Sequence, residues 1–233
     1  MLKTKVLRPA IAMLELIFAI VIMGIILMSA PQLISTAAKS GYVAIQQEAI
    51  NEAASQVNMI MGYHWDENSA NERFIDPILQ VSNGHTNLNE SGTTGRRLGT
   101  PKESYRAFVR SDGQRFDAST LESDAGDEDD IDDFTDTSTS LTLTPEGTSV
   151  AEYVETTTID IDRTVSYSND TANYNQPTIT FDPFAASGGT TNIKSITVTV
   201  TSSSGQEELE KEITLRGFSC NIGGYKLEEK DVN

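Results

Sequence analysis

Seven of the ten residues from Asp124 to Asp133 are acidic, the densest charge run in the chain. Carboxylates at this density have three chemical uses. A catalytic pair needs two acids set apart by their surroundings. No second cluster or activating residue accompanies this run, and Asp127–Asp130 is contiguous, whereas nuclease carboxylates come from separate elements. Oxygen ligation of Ca²⁺ is the second use, through Asp127, Asp129, Asp130, Asp132 and Asp133, although no Gly follows the acids as in an EF-hand loop. The third is solvation. The leading expectation is a solvated acidic loop, anchored by Ile131 and Phe134 and dispensable to the fold, with Ca²⁺ binding as the alternative.

The remaining reactive side chains are few. His64 and His85 are the only histidines; neither stands in metal-ligand or triad spacing, and both are expected at the surface. One cysteine, Cys220, precludes an intrachain disulfide. Phe218 and Ile222 flank it at alternating positions, so it is expected to be buried as a small hydrophobe. Asn89 and Asn169 begin glycosylation triplets, and Arg96-Arg97 is expected to be a solvated pair. No Gly-rich phosphate loop is present. These observations predict no enzyme activity and no resident cofactor. The formal net charge of −17 repels nucleic acid.

Glu15 is the other carboxylate in an unusual place. It lies inside an apolar run from Ile11 to Ala30, about the length a helix needs to cross a bilayer. Lys3, Lys5 and Arg8 precede the run and the acidic bulk follows it. The positive-inside rule therefore leaves the N-terminus in the cytoplasm and sends the rest across. A carboxylate inside such a segment costs about 2–3 kcal/mol and is a functional hypothesis by default. An ordinary signal peptide, with Ser35-Thr36-Ala37 as its cleavage site, is the competing reading; a plain single-pass anchor is another. Neither gives a reason for Glu15.

The stretch Pro9-Ala10-Ile11-Ala12-Met13-Leu14-Glu15-Leu16 resembles the class III signal of type IV pilins and pseudopilins. In that family a short basic leader ends in a small residue, usually Gly. Prepilin peptidase cuts after it on the cytoplasmic face, and the new terminal residue is N-methylated. A Glu stands fifth in the mature chain. The resemblance implies a cut between Ala10 and Ile11, which makes Glu15 fifth, Gly24 fourteenth and Pro31 twenty-first, one before the usual proline. Ala10 in place of Gly and Ile11 in place of Phe or Met are departures. The segment Asp129–Phe134 also looks like an acidic-aromatic motif of minor pilins of the mannose-sensitive haemagglutinin type.

The resemblance implies a structural subunit, a minor pilin or pseudopilin, of a type IV pilus or a type II secretion-like filament. Its partners would be other pilin subunits, prepilin peptidase, the assembly platform and the inner membrane. The head would lie in the periplasm and then, within the pilus, outside the cell. A filament-tip adhesin is the alternative.

The elements that must position these residues follow from periodicity. Residues 1–10 would be a leader and 11–34 a transmembrane, filament-core helix. Residues 35–64 read as an amphipathic helix with Val43, Ile50, Ala54, Val57 and Met61 as its apolar stripe. Residues 65–225 read as a β-rich head and 226–233 as a polar tail. Within the head, 82–101 reads as an irregular loop, Ser104–Val109 as a possible strand, and Thr156–Tyr167 as a strand with Ile159, Ile161, Val165 and Tyr167 on one side. Ile179 and Phe181 suggest another strand. Ile193–Thr201 is the clearest, with Ile196, Val198 and Val200 inward and Lys194 assigned to the polar set; Leu209–Leu215 returns. The expected class is α+β, a long N-terminal helix packed on an antiparallel sheet.

Overall fold

The computed structural model describes residues 8–70, 75–101, 104, 106–122, 127–143, 157–174, 176–203 and 212–224. It divides into two compact units, Met1–Glu48 and Ala49–Asn233. One helix, α1 (Arg8–Ile60), begins in the first and ends in the second.

In the first unit, α1 is described from Arg8 onward. The span Ala12–Thr36 is long and apolar enough to cross a membrane, as a signal sequence near an N-terminus also is, and none of it is buried within the chain. Pro31 stands inside the helix, removing the N–H that would bond the Leu27 carbonyl four residues back. On either side of it, Ser29 Oγ donates to the Ile26 carbonyl at 3.0 Å and Thr36 Oγ1 to that of Gln32 at 2.8 Å. Hydroxyls that bond back along the helix need no other partner in an apolar setting.

The second unit is an α+β head. Its sheet is a meander of four antiparallel strands in the order β1-β2-β3-β4: β1 (Thr137–Leu143), β2 (Thr157–Tyr167), β3 (Ile193–Ser203) and β4 (Ile213–Cys220). Alternation sends Ile159, Ile161, Val165 and Tyr167 of β2, and Ile196, Val198 and Val200 of β3, to one buried face. The last turns of α1 cover that face with Ala49, Ala53, Val57 and Ile60, spaced four, four and three apart as one helical stripe. Arg163, on the same face, donates from Nε to Gln56 Oε1 of α1 at 2.9 Å.

This stripe corrects the expected one. Val57 is common to both, but Val43, Ile50 and Met61 are exposed, and the smaller Ala49 and Ala53 take the buried positions. Alanines permit close approach, and β4 uses it. A Cβ on Gly217 would lie 2.8 Å from Val57 Cγ1 and 2.9 Å from Met61 Sδ. Gly217→Ala is therefore expected to destabilise the head by about 1–3 kcal/mol, the usual cost of overpacking. Thermal melting of the variant beside the parent measures it; an unchanged melting temperature would show that helix and strand have room to separate.

Other expectations need revision. β1 lies outside the expected strands, because TSTSLTL offers almost no apolar alternation at an edge strand. The described residues of Ser104–Val109 form no strand. Ile179 and Phe181 are exposed and outside any strand; prolines at 177 and 183 bracket them, and Pro cannot donate to a ladder. Phe181 instead packs edge-on against Phe218 of β4, with centroids 5.8 Å apart. The helix ends at Ile60, four residues before the expected boundary. Leu209 and the tail 226–233 lie outside the described residues.

Candidate functional site

Two places in the fold hold carboxylates in unusual surroundings. The first is Glu15, which lies on α1 within the apolar span; Ala10 and Ile11 precede that span on the same helix. The Glu15 side chain is exposed on the helix surface, among residues such as Met13, Leu14, Leu16 and Ile17 that are themselves exposed. A helix that shows apolar side chains all round is a membrane span or the core of something larger. Glu15 is the acidic residue within that apolar span.

The second is a buried charge cluster that the sequence reading did not find. Lys194 of β3 is fully buried, as is Asp66; the Asp132 side chain is 4% exposed. Lys194 Nζ lies 2.5 Å from Asp132 Oδ1 and 3.1 Å from Asp66 Oδ2, and donates to the Trp65 carbonyl at 2.7 Å. The ammonium sits 4.4 Å from the Trp65 ring centre and 5.3 Å from that of Tyr167, close enough for each face to attract the cation. Tyr167 is the direct cross-strand partner of Lys194.

Local structure delivers each of these groups. Asp66 caps a short 3₁₀ turn, Glu67–Ser69, and accepts from the Asn68 N–H. The Ser119 N–H and Oγ also donate to the Asp66 carboxylate, and Ser119 Oγ lies 2.9 Å from Asp132 Oδ2. The Tyr167 hydroxyl donates to the Ser119 carbonyl at 2.8 Å and lies 3.4 Å from Asp66 Oδ2. Asp132 opens a second 3₁₀ turn, Asp132–Phe134. That turn folds through its own acids: Asp130 Oδ1 accepts the N–H groups of Asp132 and Asp133, and Asp133 Oδ2 accepts those of Asp129 and Asp130. Ile131 N–H donates to the His64 carbonyl, tying the turn to the chain that follows α1.

The solvated-loop expectation is thus corrected for the second half of the run. Asp130, Asp132 and Asp133 are buried along with Ile131 and Phe134, because each carboxylate there accepts a backbone N–H, a hydroxyl or the Lys194 ammonium. Asp127 is exposed, Asp129 is half-buried, and Asp124 lies outside the described residues. Among the described residues, no group of three or more His, Cys, Asp or Glu side chains is arranged to hold a metal ion. The acids offered for Ca²⁺ divide between a solvent-facing arm and an inward-facing turn.

Electrostatics within the turn are uneven. Burial, reinforced by the adjacent Asp132 carboxylate, pushes the Asp130 carboxyl up to about 8, with Lys194 opposing and Asp133 adding to the rise. Burial also raises the Asp129 acid, with Asp127 and Asp133 contributing. Asp130 therefore binds a proton in the folded chain across a range where the unfolded chain has released it. Its contribution is fully present below the ordinary value of 3.8 and is lost as pH rises towards about 8. Asp130→Asn retains an Oδ1 acceptor for the two N–H groups and cannot ionise. Across pH 4–8 the variant is expected to lose less melting temperature than the parent and to melt higher at pH 8, by about 2–4 °C per kcal/mol recovered. Equal pH slopes for the two proteins would remove Asp130 as the source.

Four further residues can be set against expectation. Arg97 is not a solvated side chain: it donates to the Leu88 and Asn221 carbonyls and to Asn192 Oδ1, and burial lowers its guanidinium pKa. Cys220 is half-buried in the wall of an apolar cavity of about 430 Å³, with Leu88, Tyr174 and Ile179. Burial raises its thiol, yet the flanking Phe218 and Ile222 are 41% and 46% exposed. His64 is half-exposed and pairs with Asp76 at 2.9 Å, while the His85 ring accepts the Asn87 N–H and so caps a short turn.

No protein-family model, curated protein or solved structure matches the chain. The signal for Lys194 was present in the sequence all the same. It shares parity with Ile196, Val198 and Val200, so a regular strand sends it to the core face. Residue type, not position, placed it among the polar set.

Proposed function

We propose that this chain is a filament-building subunit of the type IV pilin class, a minor pilin or pseudopilin, and does no catalysis. The observation that carries the reading is a single helix, Arg8–Ile60, with Glu15 near the start of its apolar span and its last turns laid on an antiparallel sheet. An anchor alone requires the apolar span but not the carboxylate. A subunit whose neighbours bring a cation to Glu15 requires both.

On this reading the precursor inserts with its leader in the cytoplasm and its head in the periplasm. Prepilin peptidase cuts between Ala10 and Ile11 and the new amine is methylated. The processed helix then enters a bundle of like helices at the assembly platform, where apolar burial supplies most of the association. Glu15 meets the terminal amine of a neighbouring subunit and fixes axial register, since two charges in an apolar core are tolerable only as a pair. The acidic head faces water once the filament is outside the cell.

N-terminal sequencing and peptide mass of the protein from membrane fractions test this directly. The expected result is a chain that starts at N-methylated Ile11. A mature start at Ala38 would identify an ordinary signal peptide and remove the filament reading.

A further inference from the structure

We propose that Lys194 and Asp132 are partners in an intramolecular amide bond, closed inside the folded head with loss of one water. The inference concerns the head alone and stands whether or not the chain enters a filament.

The chemistry has three requirements, and the cluster meets each. The first is proximity. A carboxylate oxygen 2.5 Å from Nζ leaves its carbon roughly 3–3.5 Å from the nitrogen, the separation of reacting atoms in a near-attack pair. The second is exclusion of water, which would otherwise solvate both charges and reverse the condensation. Lys194 and Asp66 have no exposure and Asp132 almost none, and Trp65 and Tyr167 wall the ammonium. The third is a group to carry a proton. Asp66 Oδ2 lies 3.1 Å from the same Nζ.

The two aspartates are not equivalent. Asp66 accepts the backbone N–H groups of Asn68 and Ser119; the Ser119 hydroxyl lies between Asp66 and Asp132, and the Tyr167 hydroxyl, which donates to the Ser119 carbonyl, lies 3.4 Å away. Replacing one of its oxygens would take an acceptor from those N–H groups. Asp132 meets side chains, those of Lys194, Asp130 and the shared Ser119 hydroxyl, and an amide at Asp132 keeps a carbonyl oxygen to accept from Ser119. Asp132 is therefore the acceptor and Asp66 the proton carrier.

The step balances without any co-reactant. Lys194 first passes a proton to the Asp132 carboxylate, giving a neutral amine and a neutral acid. The Nζ lone pair attacks Asp132 Cγ and a C–N bond forms. Asp66 takes a proton from the nitrogen and returns it to the departing hydroxyl as the C–O bond breaks. The products are an amide and one molecule of water, with no change in oxidation state.

The test is tryptic peptide mapping of the full-length protein by tandem mass spectrometry. The expected result is a branched species joining the peptide that contains Asp132 to the one that contains Lys194, lighter than their sum by one water and uncut after Lys194. Lys194→Arg, which keeps the cation but cannot form this amide, gives the two peptides unjoined at full mass. Asp66→Asn, deprived of the proton carrier, is expected to lower the joined fraction at least tenfold. Unjoined peptides at full mass from the parent protein would overturn the proposal irrespective of how the variants fold. A branch through Asp66 would overturn the choice of acceptor, and full joining in Asp66→Asn would overturn its role.

Discussion

Glu15→Leu is expected to abolish incorporation into filaments while leaving insertion and processing intact. The substitution makes the apolar span more apolar, and insertion needs no carboxylate there. Cleavage is set by the leader and Ala10, five residues away in sequence. What changes is the fate of the neighbouring subunit's terminal amine. On the proposed filament reading it meets a carboxylate in the parent; in the variant it would enter an apolar bundle alone, at a cost of about 3–5 kcal/mol for the broken pair. That is roughly two to four orders of magnitude in an equilibrium constant. Apolar packing remains but tolerates many axial registers, since a helix that is hydrophobic all round has no marked face. Sheared surface filaments should lack the variant and the inner membrane should retain it in processed form. Recovery of Glu15→Leu in filaments at the parent level would reduce Glu15 to an interfacial residue on a simple anchor.

What was legible in the sequence followed the strength of its periodicity. β2 and β3 are half-buried strands in which apolar and polar residues alternate over several steps, and their bounds agree with expectation to within about two residues at each end. β1 shows the opposite case. Its Ser and Thr residues lie at an edge with little to bury, so the ladder with β2, not a hydrophobic pattern, defines it. Ile179 and Phe181 have strand-forming side chains without strand partners; composition suggested an element that the flanking prolines forbid.

The candidate sites divide in the same way. Glu15 was conspicuous because a charge in an apolar run breaks a local rule. The Lys194 cluster was not, because its members Asp66, Ser119, Asp132 and Lys194 are far apart in the chain and only strand parity marks one of them. Acidic density at 124–133 pointed to solvent, and long-range pairing with one lysine reversed it for Asp132. Charge alone cannot reveal burial when the compensating group comes from another strand. Strand parity could have done so for Lys194 and nothing comparable was available for Asp66.

Lys194→Met is expected to be the most damaging single change in the head. Methionine matches the length of the lysine stem, so the loss isolates the cation and not the packing. It leaves Asp66 and Asp132 facing one site with no positive group, beside Asp130. Breaking a buried pair from one side typically costs about 3–5 kcal/mol, about a fifth or more of the total stability of an ordinary domain. The melting temperature should fall by about 6–20 °C. Where the amide has formed in the parent the fall is larger, because the variant also frees the unfolded chain between Asp132 and Lys194. The companion variant Lys194→Met/Asp132→Asn removes one of the two stranded charges and is expected to recover part of the loss, by about 1–3 kcal/mol of coupling between the sites. Denaturant unfolding of the detergent-solubilised protein measures both. Additive losses in the double variant would mean that the two side chains do not interact, and the cluster would then be ordinary packing around a lysine.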